Sequence, residues 1–153
     1  VVAEALADSG LPGSGLALEV TESMLMTHID ASAGTLRNLK ELGVHLSLDD
    51  FGTGYSSLAY LKRLPLDTLK IDRSFVNDIT TDANDAAITL TVISMARAMN
   101  LGVIAEGVET ESQLDYLHNN GCQRVQGYFF SPPVRASELT VMLREQKWLG
   151  KRK

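Results

Sequence analysis

Cysteine, basic charge and long apolar runs are all scarce in this chain, and each scarcity narrows what it can be. Cys122 is the only cysteine, so no internal disulfide can form, and a reducing compartment, the cytoplasm, is the simplest setting. No apolar stretch approaches the roughly 18 residues expected of a membrane span, and no charged-then-apolar leader is present. Basic residues are outnumbered, 14 Lys and Arg against 19 Asp and Glu, giving a formal net charge of −5. That removes the broad cationic footprint needed for polymeric nucleic acid, yet a small nucleotide can still bind an acidic site through metal ions. The three histidines, His28, His45 and His118, show no His-x-x-x-His spacing, which disfavours zinc and leaves them structural roles. A Gly-x-Ser-x-Gly elbow is missing as well, and Cys122 lacks a local nucleophile pattern. With 44% hydrophobic and 22% charged residues over 153 positions, the chain reads as one globular domain or part of one.

What is present is an alternation of short aliphatic strands with helical stretches. A helix over about residues 1–8 stops near Gly10 and Pro12, and strands follow at about 16–20, 44–49, 67–72, 102–106 and 122–127. Between them the periodicity predicts helices near 30–42, 56–62, 84–100, 111–119 and 136–146. Leu36, Leu39 and Leu42 share one face of the second helix, with Gly43 placed for a left-handed cap. Ile88, Val92, Met95 and Met99 are expected inside as core filler. Thr110-x-x-Gln113 matches a capping box. Five βα units imply a parallel sheet with right-handed crossovers. A closed (β/α)8 barrel needs about eight strands and usually about 250 residues, so a partial TIM-type barrel lacking its N-terminal strands is expected. The start at Val1, within what reads as a helix already in progress, suggests a fragment. The tail at 149–153 reads as a basic, solvated end.

Each strand ends in a polar residue opposite its aliphatic face: Glu19, Asp49, Lys70, Glu106 and Gln126. In a parallel barrel such inward residues at the strand C-terminal ends line the reaction site. Leu18-Glu19-Val20-Thr21-Glu22-Ser23 sets two carboxylates three apart, so a regular strand cannot turn both inward. Glu19 suits a metal ligand, and Glu22 could accept hydrogen bonds that hold a neighbouring loop; a solvated pair leading a helix is the alternative. Asp49-Asp50-Phe51-Gly52-Thr53-Gly54 is the strongest local signal, because adjacent acids at a strand tip can address two cations that clamp the attacking and leaving oxygens of a phosphodiester. Without metal these acids would repel one another and tend to hold protons. A glycine turn with an acid-capped helix competes with that reading. Lys70 could orient water or phosphate, or simply pair with Asp49 or Asp50. Glu106 could bind metal or take a proton from water, and Gln126 could orient a ligand or water or be an ordinary interior amide. Oxygen donors of this kind match Mg²⁺ or Mn²⁺.

These motifs, together with Leu69-Lys70-Ile71-Asp72, Ala105-Glu106-Gly107-Val108-Glu109 and Gln126-Gly127-Tyr128 in that order, resemble the EAL-domain family of cyclic di-GMP phosphodiesterases in bacterial signalling. The resemblance covers about residues 1–148. It implies that Glu19 and Asp49 bind metal directly, that Asp50 serves a second metal, and that Glu106 is a metal ligand or general base. It further implies that Lys70 and Gln126 position the hydrolytic water, that Glu22 supports the Asp49 loop beside a dimer contact, and that cyclic di-GMP is opened to linear pGpG. Glu4-Ala5-Leu6 spells the family name without being its signature, since it lacks the Arg-Trp that usually follows. The signature glutamate and a metal-binding asparagine would precede Val1, so the 153 residues alone are expected to be weak or inactive. A homodimer and upstream sensor or cyclase domains are implied partners. A non-catalytic cyclic di-GMP receptor or interaction domain is the alternative, although receptor members often lose catalytic acids and this chain has not. An unrelated metal-assisted barrel lyase is a more distant one.

Overall fold

A computed structural model describes residues 1–27, 29–52 and 61–145. His28, most of the expected helix at 56–62 and the basic tail lie outside the described residues. Five strands, β1 (Ala17–Thr21), β2 (His45–Phe51), β3 (Thr68–Ile71), β4 (Gly102–Ala105) and β5 (Arg124–Val125), form one sheet in sequence order. Every neighbouring pair is parallel. Parallel strands that stay in sequence order never reverse direction across the sheet, as a doubly wound fold does; this is the winding of a barrel wall. The chain is therefore α/β and forms part of a (β/α)8 barrel.

The helices are α1 (Val2–Ser9), α2 (Glu22–Thr27), α3 (Ile29–Glu41), α4 (Arg73–Asn77), α5 (Ala83–Ala98), α6 (Glu111–Asn119) and α7 (Ala136–Glu145). Strand alternation sends Leu46, Leu48, Leu69 and Ile71 to the helix side, where they are buried with Leu36 of α3, Val92, Ile93 and Ala96 of α5, and Leu117 of α6. Full burial of each such side chain contributes about 1.5–3 kcal/mol. Thr110 and Gln113 form the reciprocal capping box at the start of α6, and the Asp82 side chain accepts the Asn84 and Asp85 amides at the start of α5.

Several boundaries differ from those the sequence suggests. Residues 22–27 form a short helix directly after β1, and residues 73–77 are helical where a loop is expected, capped by Asp72, which accepts the Ser74 amide. The buried stripe of α5 is Thr89-Val92-Ile93-Ala96, a spacing that turns Ile88 one helical step away and leaves it 37% exposed. Leu42 is exposed because α3 ends at Glu41. β5 shrinks to two residues at the sheet edge, although the Gln126 amide still donates to Ala105 O at 2.8 Å.

Candidate active site at the strand C-terminal ends

Four consecutive strands deliver charged side chains to one point. The Lys70 Nζ lies 2.6 Å from Glu19 Oε2, 3.1 Å from Asp49 Oδ1 and 2.7 Å from Glu106 Oε1. Glu19 comes from β1, Asp49 from β2, Lys70 from β3, and Glu106 directly follows β4, with its amide donating to Ile71 O at 3.1 Å. Glu19 pairs in register with Ser47, so the small serine on β2 leaves room for Glu19 and Lys70 to meet across it. The lysine side chain is 5% exposed and Glu19 51% exposed, so the cluster has a buried cationic floor and an open acidic rim. Burial alone would lower the Lys70 ammonium, but hydrogen bonds to Glu106, Glu19 and Asp49 outweigh it and raise the group above the ordinary lysine range. Lys70 is therefore a fixed cation. Three carboxyl groups share this one ammonium.

A β-bulge shapes the second acidic position. Leu48 pairs with Leu69 and Phe51 with Ile71, so three residues of β2 span what two of β3 cover. Strict alternation would place Asp50 among the buried leucines; the bulge instead returns Phe51 to the core side, where it is 5% exposed. Asp50 takes up the extra residue in a left-handed conformation, φ 54°. Backbone strain of this kind costs about 1–3 kcal/mol and concentrates at functional sites. Beneath the turn, Glu22 at the start of α2 is 3% exposed and its Oε2 accepts the Gly52 amide at 3.4 Å. Its Oε1 is buried with no partner among the described residues.

Gln126 lies beyond β5, exposed and outside the Lys70 cluster; among the described residues its side chain makes no hydrogen bond. Its main chain is fixed, since Gln126 O accepts the Val108 amide at 3.1 Å, and a Cβ at Gly127 would overlap the Val108 backbone. The glycine thus lets this segment press against the residues that follow Glu106.

Hard carboxylate oxygens suit a Mg²⁺- or Mn²⁺-type cation. Among the described residues no group of three His, Cys, Asp or Glu side chains is already disposed around a metal position. The reason is geometric: Glu19, Asp49 and Glu106 each turn an oxygen toward Lys70. The donor chemistry fits a divalent cation that would draw on the remaining oxygens and on Asp50.

A second polar group at the opposite strand ends has no counterpart in the sequence reading. Asp67 accepts Lys40 Nζ at 2.7 and 2.8 Å and the Leu46 amide at 2.8 Å, while His45 Nε2 lies 2.9 Å from Thr68 Oγ1. Burial would raise the Asp67 carboxyl, but Lys40, the Leu46 amide and His45 together lower it. Asp67 and Lys40 both precede strands, a position that carried no chemical signal in the sequence. Cys122 is fully buried, its thiol raised by burial.

Comparison with known proteins places these observations in a family. The EAL domain family model matches residues 2–133. The cyclic di-GMP phosphodiesterase NbdA of Pseudomonas aeruginosa is 52% identical over 147 residues, which cover 96% of this chain and 19% of that protein. The bifunctional diguanylate cyclase/cyclic di-GMP phosphodiesterase MucR of the same organism is 49% identical over 138 residues, 90% of this chain and 20% of that protein. The chain thus spans about a fifth of the curated relatives it matches. Among solved structures, the PaMucR phosphodiesterase in complex with c-di-GMP superposes with TM-score 0.87 at 49% identity, over 90% of this chain and 56% of that one. The Klebsiella pneumoniae BlrP1 manganese/cy-diGMP complex superposes with TM-score 0.80 at 35% identity, over 86% of this chain and 34% of that one.

Proposed function

Because the chain belongs to the EAL-domain family, we propose that it supplies the catalytic face of a cyclic di-GMP phosphodiesterase. The observation that carries this reading is the meeting of Glu19, Asp49 and Glu106 at Lys70 from consecutive strands. Glu19, Asp49, Asp50 and Glu106 are the residues that would hold Mg²⁺ or Mn²⁺, which when bound neutralises phosphate charge and acidifies water.

The chain's own residues then have distinct tasks. Lys70 gathers the carboxylates, its ammonium hydrogen-bonding all three. Glu106 accepts a proton from the water whose oxygen attacks phosphorus. As that P–O bond forms, the opposite ester P–O bond breaks, the proton taken by Glu106 passes on to the departing oxygen, and linear pGpG results. Gln126 orients the water or the nucleotide from the β5 side. Glu22 acts at one remove, holding the Gly52 turn that presents Asp49 and Asp50. The NbdA and MucR names and the PaMucR and BlrP1 complexes support this assignment. The reaction is assigned to the cytoplasm, consistent with a free Cys122 and with no described helix long and apolar enough to cross a membrane. A homodimer and appended sensor or cyclase domains complete the proposed setting.

The test is hydrolysis of cyclic di-GMP by an EAL domain containing this chain, with Mn²⁺ or Mg²⁺. The expected product is linear pGpG, at a rate reduced about 10²–10⁴-fold by Glu106→Gln. Linear product no more abundant than with Glu19→Ala would refute it and favour a receptor.

A further inference from the structure

We propose that the chain carries a second, anionic-ligand site at the strand N-terminal ends, where Arg97 and Arg124 would bind a phosphate dianion. The two guanidinium groups line one cavity of about 220 Å³ beside Gly102, Gly121 and Gln123, and no acidic side chain shares its wall. Arg97 belongs to α5, Arg124 opens β5 and Gly102 opens β4. The cavity therefore sits at the end of the sheet away from Glu19, Asp49 and Glu106, which stand at or beyond the other strand ends.

Two glycines build it. A Cβ at Gly102 would overlap the Arg124 Nη2, and a Cβ at Gly121 would overlap the Arg97 Nη2, so each head group lies directly over main chain that carries no side chain. Arg124 Nη2 also donates to Thr68 Oγ1 at 3.4 Å, which steadies its orientation. Among the described residues neither arginine forms an ion pair, and the nearby Asp67 carboxylate is occupied by Lys40 at 2.7 Å. Like charges brought to one cavity without an intervening carboxylate favour an anion between them, and guanidinium forks match phosphate oxygens two at a time. The cavity lies below the roughly 300–1,000 Å³ of drug-sized pockets, so it suits orthophosphate or the terminal phosphate of a small ester rather than a cyclic dinucleotide.

Phosphate titration of the chain, followed through the Gly102 and Gly121 amide resonances at constant ionic strength, tests the site. A saturable response, weakened at least tenfold by Arg97→Gln and by Arg124→Gln, is expected. A parallel titration with glycerol 3-phosphate separates the sources: tighter binding of the ester assigns an esterified ligand, and tighter binding of orthophosphate assigns the free ion. No saturable response, or equal responses in wild type and variants, overturns the proposal. Should Arg124→Gln impair folding, Arg97→Gln decides, because Arg97 is exposed on α5 and among the described residues makes no side-chain hydrogen bond whose loss would unfold the chain.

Discussion

Lys70 is the residue on which the acidic face depends. Its ammonium is nearly buried and meets three carboxylates, so Lys70→Met would leave them facing one another without a counter-charge. Removing one partner of a buried pair costs about 3–5 kcal/mol, and solvent at the Glu19 rim reduces this to about 2 kcal/mol here. The folded-state lysine is raised above its ordinary value of 10.5, so its contribution is complete below that value and is lost as pH rises through the higher folded one. Urea unfolding from pH 7 to 11 should show wild type losing its advantage over Lys70→Met only at the alkaline end. An advantage that instead disappears near neutrality would contradict the ion cluster. Among the described residues Glu22 is the other buried acidic or basic side chain. Glu22→Ala should cost about 1–3 kcal/mol and lower hydrolysis through a loosened Gly52 turn, visible as faster amide exchange at Gly52; unchanged exchange would remove its positioning role.

At the scale of elements, Asp67 ties α3, β2 and β3 together through Lys40 and the Leu46 amide. Its carboxyl is lowered from 3.8, so the contribution is present above that value and is lost as pH falls through the lower folded one. Asp67→Asn should therefore lower stability by about 1 kcal/mol at pH 7, discounted for partial exposure, with the difference beginning to shrink as pH falls below about 3.8. Equal destabilisation at pH 7 and pH 3 would place the effect elsewhere. The same scale shows what the sequence could carry. Period-two alternation set Glu19, Lys70 and Glu106 opposite buried aliphatics, so their common face was legible from the residues alone. The bulge at Asp49-Asp50 was not, because an inserted residue leaves the composition of a strand unchanged and only pairing with β3 reveals it. The exposure of Ile88 and the shortness of β5 are hidden from the sequence for a related reason: burial is decided by neighbours, and an edge strand has only one. The Asp67–Lys40 pair is likewise illegible, because ion pairs between residues 27 apart have no local spacing.

For the whole molecule, five strands in barrel order leave β1 and β5 with one neighbour each. No residue of α7 is buried, and Leu139, Val141 and Leu143 are exposed along it. Unpaired edges and an apolar helix face favour association. Sedimentation of the 153-residue chain should show concentration-dependent assembly that Leu139→Glu with Leu143→Glu reduces; a strictly monomeric chain at all concentrations would contradict this.

In the proposed reading, carboxylates from successive barrel strands together hold divalent metal. Mn²⁺ titration followed by electron paramagnetic resonance, on an EAL domain containing this chain, tests it most directly. Saturable loss of the free Mn²⁺ signal in wild type, weakened at least tenfold by Glu19→Ala and by Glu106→Ala, is the predicted result, whereas the same Mn²⁺ uptake in all three proteins would contradict it.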